Sequence, residues 1–154
     1  MLKMTKEDAI EQLAGYNIKG EYLYLVDIIP LIEMIWADGK AQEGEIKILT
    51  SFLKKLVKSI NEDAGYEVIS FDDAKEFTLQ FLRKRPDQRL MSTLRTLVAT
   101  IINSRFTHER IKKSILAACL DIASSSVVEY PYGLDERFDI TEKHCFYNIL
   151  KSLE

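Results

Sequence analysis

The sequence predicts an all-α fold: about seven helices in one bundle-like domain over residues 1–154, as two related helix-turn-helix units around a central apolar helix. Three observations carry this. Apolar residues recur at spacings of three and four along most of the chain. Breakers are scarce, with 6 Gly and 3 Pro among 154 residues. Capping residues stand where the periodic stretches begin. A chain of this length buries roughly 68–70% of its unfolded surface, enough for an independent core.

Thr5 caps a first helix to about Ala14, and Gly15 and Gly20 bracket a break. A second helix is expected from about Glu21 to Ala37. It is apolar almost all round, which suits a central position. Pro30 inside it either kinks it or marks a helix start. Asp38-Gly39 then supplies turn chemistry. The third helix begins near Gln42, with Ile46, Leu49, Phe52, Leu53, Leu56, Val57 and Ile60 as its stripe and lysines largely on the other face. Asn61 to Ser70 reads as a loop. Ser70 caps the fourth helix, expected to continue through Phe77, Phe81 and Leu82 and to stop at Pro86. Asp87 caps the fifth, with a stripe from Leu90 to Ile102, and Thr107 caps the sixth, through Ile122. Ser124 to Phe138 reads as a loop in which Val127–Tyr130 has weak strand character. Asp139 and Glu142 open the last helix, which runs to about Ser152.

The two units show as a weak repeat. With one offset Glu45 falls on Glu142, Leu49 on Phe146, Phe52 on Ile149 and Leu53 on Leu150; with a shorter one Trp36-Ala37 falls on Ile122-Ala123. The offsets differ by an insertion-sized step in the 124–138 loop.

Composition excludes several classes. Hydrophobic residues are 47% and charged ones 29%, which removes disordered and low-complexity readings. A net charge of −3 is not the basic footprint of a nucleic-acid binder. The clusters Lys54-Lys55-Lys58, Arg83-Lys84-Arg85 and Arg110-Lys112-Lys113 read as solvated faces, without interleaved aromatics for base stacking. Met1–Asp8 has no signal-peptide core, and the Tyr22–Ala37 stretch is short for a span and carries Asp27 and Glu33. The expected setting is therefore the cytoplasm, without membrane insertion. Two cysteines, Cys119 and Cys145, give no disulfide framework and read as packing residues. His108 and His144 have no metal-ligand spacing and sit in first helical turns, where exposure is expected. Phosphate-cradling and nucleophile-elbow motifs are absent. Glu136-x-x-Asp139 without any E-x-x-E argues against a magnesium-dependent nucleotide pyrophosphohydrolase.

Residues 31–56, LIEMIWADGKAQEGEIKILTSFLKKL, hold the most informative motif: Trp36-Ala37-Asp38-Gly39, then Glu45 and an apolar helix. This resembles the TerB-like family of tellurite-resistance proteins, related to the N-terminal region of DjlA-type co-chaperones. In that family an "ADG" turn and a Glu opening the next helix occur twice in one all-helical domain. The second copy here departs from it, with Ala123-Ser124-Ser125 in place of the turn. The resemblance implies a non-enzymatic role in tellurite or stress resistance, exercised through a protein partner that could be membrane-associated. It also implies a divalent-cation site, calcium or magnesium, at Asp38 and Glu45 in the first unit and Glu142, with Asp139 beside it, in the second.

The residues themselves leave this open. Hard cations want several oxygens. Asp before Gly is also ordinary turn chemistry, and a first-turn Glu stabilises a helix start without metal. An EF-hand is excluded, because its sixth and twelfth positions would be Glu43 and Leu49. Asp27 and Glu33 either face solvent, pair with Arg or Lys, or line a groove. On an ideal helix Asp27 and Asp38 share a face, about 16 Å apart along the axis. The alternative function is a metal-dependent enzyme acting on a small molecule, with Asp27, Glu33 and Asp38 in a cleft.

Overall fold

The computed structural model describes residues 4–37, 39–125 and 140–154, with the side chain at 140 left aside. Seven α-helices occur among the described residues: α1 (Lys6–Ala14), α2 (Ile29–Ile35), α3 (Glu43–Ala64), α4 (Phe71–Leu79), α5 (Gln88–Asn103), α6 (His108–Ser125) and α7 (Ile140–Leu153). A 3-10 helix, Gly20–Ile28, leads into α2, and there is no strand among these residues. The Val127–Tyr130 segment and Asp139 lie outside them, as does Asp38.

The caps act where expected. Thr5 and Asp8 form a reciprocal capping box at the start of α1, each bond 3.1 Å. Ser70 Oγ accepts from Asp73 N, and Asp87 Oδ1 accepts from Arg89 N at 2.7 Å. Each pairing satisfies a backbone N–H that the first helical turn leaves free.

Three boundaries differ from expectation. The single Glu21–Ala37 helix is instead the 3-10 helix followed by α2, with Pro30 in the first turn of α2. Proline is tolerated there because it removes an N–H that has no partner in any case. Next, α3 runs on to Ala64 and stops at Gly65, whose φ of 79° is left-handed. Asn61 belongs to the helix and organises the turn beyond Gly65, its Oδ1 accepting from Val68 N at 2.8 Å and its Nδ2 donating to Ile69 O. Finally, α4 ends at Leu79 rather than running to Pro86. Phe81 N and Leu82 N bond three residues back, to Thr78 O and Leu79 O, which tightens the chain into a turn.

One apolar cluster runs from Ala9 to Leu153. Its centre is Leu25–Ile35, where Leu25, Val26, Ile28, Ile29, Leu31, Ile32, Met34 and Ile35 are fully buried. Around α2 pack α3, α5, α6 and α7, while α1 lies along α5 and α3 along α6. An aromatic series ties α4 to the centre: Tyr22 stacks on Phe77 at 4.8 Å, and Phe77 meets Phe81 edge-on at 5.6 Å. No helix of the described residues is long and apolar enough to cross a membrane.

Candidate functional site

The two acids at the helix starts are buried: Glu45 is 1% exposed and Glu142 4%. Glu45 Oε1 accepts from Gln42 N at 3.0 Å, closing a capping box with the Gln42 side chain. Its first task is therefore helical. Glu142 stands in the first turn of α7. Their proposed companions Asp38 and Asp139 lie outside the described residues, among which no group of three His, Cys, Asp or Glu is placed to hold a metal.

Asp27 and Glu33 are both turned inward and each has its own arginine. Arg105 Nη1 donates to Asp27 Oδ1 at 2.6 Å, and Arg95 Nη1 donates to Glu33 Oε2 at 2.8 Å. Arg95 stands in the middle of α5, whereas Arg105 lies in the turn beyond its end. The two acids therefore do not converge on one centre. Burial raises both carboxyls, Asp27 against the opposing pull of Arg105 and Glu33 to about 7 against that of Arg95.

Glu33 and Arg95 stand in the wall of a crevice of about 560 Å³. Its sides are the C-terminal end of α2, the first half of α5 and the first turns of α7, and Arg85-Pro86 sit at the link into α5. Trp36 forms an apolar wall, and its Nε1 donates to Phe81 O at 2.9 Å, so the indole is held in place. Met91 is buried beside it. Ser92, His144 and Asn148 add polar groups. The Arg85 guanidinium lies against the turn after α2, with Nη1 3.5 Å from where a Gly39 Cβ would stand. Gly39 has a φ of +88°, a conformation that a side chain would strain.

The inner wall is incompletely satisfied. Glu33 Oε1 and Arg95 Nε are buried and have no hydrogen-bond partner among the described residues. The nearby thiols stay protonated: burial and the neighbouring Glu33 push Cys145 up to about 12, and burial raises Cys119 well above its ordinary range. Cys119 is fully buried as expected, whereas Cys145 lines the crevice. Of the expected acids among the described residues, Glu33 lines this crevice, and Asp27 does not.

Sequence reasoning missed Arg85, Arg95 and the role of Trp36. A signal for Arg95 existed, since it lies on one helical row with Met91 and Ala99, both buried. A cation on an apolar row of α5 and an acid on an apolar α2 are complementary.

On the offsets of the weak sequence repeat, α2 corresponds to α6 and α3 to α7. The end of α2 meets the start of α7, and the end of α6 meets the start of α3. At the second junction a Gly44 Cβ would stand 3.7 Å from Ser125 Cβ, so the elements approach closely. The equivalent of Gly44 is Thr141, on the crevice wall. The equivalents of Glu33 and Trp36 are Cys119 and Ile122, both fully buried.

No family model, curated protein or solved structure gives a significant match to the chain.

Proposed function

We propose that this protein is a TerB-like binding module that acts by occupancy of the α2–α5–α7 crevice rather than by turnover. The observation that carries this reading is the crevice itself, of about 560 Å³, with a held indole and an incompletely bonded Glu33–Arg95 pair in its wall. Sites of about 300–1,000 Å³ with an apolar lining and a few placed polar groups are what small ligands, or one side chain of a partner, require. A thermal-shift screen of small polar metabolites tests it. Hits are expected to raise Tm and to change the emission of Trp36, and to do neither in Ser92→Phe, which fills the mouth. Hits indifferent to Ser92→Phe would move the site elsewhere.

The buried acids at equivalent helix starts favour a divalent cation as an accessory to this reading. Calorimetry of metal-stripped protein with calcium, magnesium and manganese is expected to give saturable heat that Asp38→Ala abolishes. Heat that survives the substitution, or none in the wild type, would leave Glu45 as a cap alone. The second functional reading, an enzyme, has Glu33 on the crevice wall as its acid; with Oε2 on Arg95 and Oε1 buried, proton transfer requires that ion pair to open. Turnover of a screened ligand, lost in Glu33→Gln, would favour it over simple binding.

A further inference from the structure

Resting on the crevice reading, we propose that the ligand is a small organic oxyanion, a carboxylate or phosphate monoester on an apolar body, with Arg85 as its charge partner and Trp36 and Met91 as its apolar wall.

Charge decides the sign. Among the described residues the charged side chains on the crevice wall are Glu33, Arg85 and Arg95. Glu33 and Arg95 offset one another across 2.8 Å. Among the described residues Arg85 has neither an ion pair nor a hydrogen bond, so a chain of net charge −3 turns one uncommitted cation into its concave surface. Among the described residues a cationic ligand would meet Glu33 as its carboxylate there, with one oxygen held by Arg95 and the other sealed from solvent. An oxyanion instead meets a planar guanidinium that can bind two of its oxygens at once.

The rest of the wall sets the body of the ligand. Trp36 is half-buried, and its bond to Phe81 O stops it from rotating to fill the space. Met91 beside it is a soft apolar surface. Ser92, His144 and Asn148 offer hydrogen bonds around the mouth. A bare inorganic anion would leave the indole and thioether unused.

The chain has a single tryptophan, so its emission reports this wall alone. Phenyl phosphate, benzoate, inorganic phosphate and uncharged benzyl alcohol are titrated into the full chain, following emission and heat. Phenyl phosphate and benzoate are expected to saturate, and benzyl alcohol and inorganic phosphate to bind about tenfold more weakly or less, the effect of one charge-assisted contact. Arg85→Gln is expected to weaken both organic oxyanions by about tenfold and to leave benzyl alcohol unchanged. Arg85 is exposed and bonds to nothing among the described residues, so this variant keeps the fold. Equal binding of benzyl alcohol, or oxyanion binding untouched by Arg85→Gln, overturns the oxyanion assignment and leaves the crevice as a site. Inorganic phosphate binding as tightly as phenyl phosphate overturns the organic body. No saturable change with any of the four overturns the crevice reading as well.

Discussion

A carboxylate withdrawn from water needs a partner or a proton, and Asp27 and Glu33 sit at different points between the two. Asp27 is 6% exposed in its side chain and holds Arg105 at 2.6 Å. Removing the cation from such a pair strands the charge, which costs about 3–5 kcal/mol in buried cases. Arg105→Met is expected to approach the lower end of that range by urea denaturation, since Arg105 is 24% exposed, and Asp27→Asn in the same chain to restore most of the loss. Glu33 differs because its proton is within reach at neutral pH. Its folded pKa of about 7 lies above its ordinary 4.5, so the folded state binds more protons than the unfolded one between those values. Its contribution to stability is then present in full below about 4.5 and lost as pH rises through 7. Denaturation midpoints for wild type and Glu33→Gln should diverge across that window, at about 1.4 kcal/mol per pKa unit at most, with only the wild type losing stability. The sequence marks both acids as unusual but leaves solvent, pairing and groove all open. The arginines that decide the matter lie 78 and 62 residues away, and no local pattern reaches that far.

At the scale of elements, local chemistry is legible in the sequence and continuation is not. Thr5, Ser70 and Asp87 act as caps, as expected, because a cap depends on neighbours within one turn. Periodicity alone does not show that Gly20–Ile28 is a 3-10 helix, since an all-round apolar segment has no face to set its period. That matters for the expected shared face of Asp27 and Asp38. That expectation assumes one α-helix from Asp27 to position 38, whereas Asp27 stands at the end of the 3-10 helix and α2 stops at Ile35. The stop of α3 escapes sequence reading for another reason: Asn61 has the chemistry of a loop residue, yet from inside the helix its amide holds Val68 and Ile69. The left-handed Gly65 is the true stop. Gly65→Ala is expected to lower stability by about 1 kcal/mol, the cost of a side chain in that conformation. Glu45→Ala should cost at least about 1–2 kcal/mol in metal-free buffer, the loss of the capping box.

Over the whole molecule there are two places where a helix end meets a helix start, α6 with α3 and α2 with α7, and they are lined differently. At one, Gly44 meets Ser125 on the exposed surface, and at the other Thr141 lines the crevice with Glu33 and Trp36. Leucine scanning should separate them. Gly44→Leu is expected to leave Tm unchanged or slightly raised, since the position is exposed, a Cβ there makes an ordinary contact with Ser125, and leucine favours the helix. Thr141→Leu should weaken any crevice ligand, which Gly44→Leu leaves unaffected. The repeat makes both junctions visible in outline, but which one lines a crevice depends on a handful of side-chain volumes that the weak self-similarity does not resolve. The crevice junction also has a kinetic meaning. One wall of the crevice is α7, held down by Ile149 and Leu153, and the other two walls are α2 and α5. Lifting the last helix would widen the mouth, so a looser α7 is expected to shorten the residence time of a bound molecule. Leu153→Ala, far from the ligand-facing atoms, should speed release and barely alter capture.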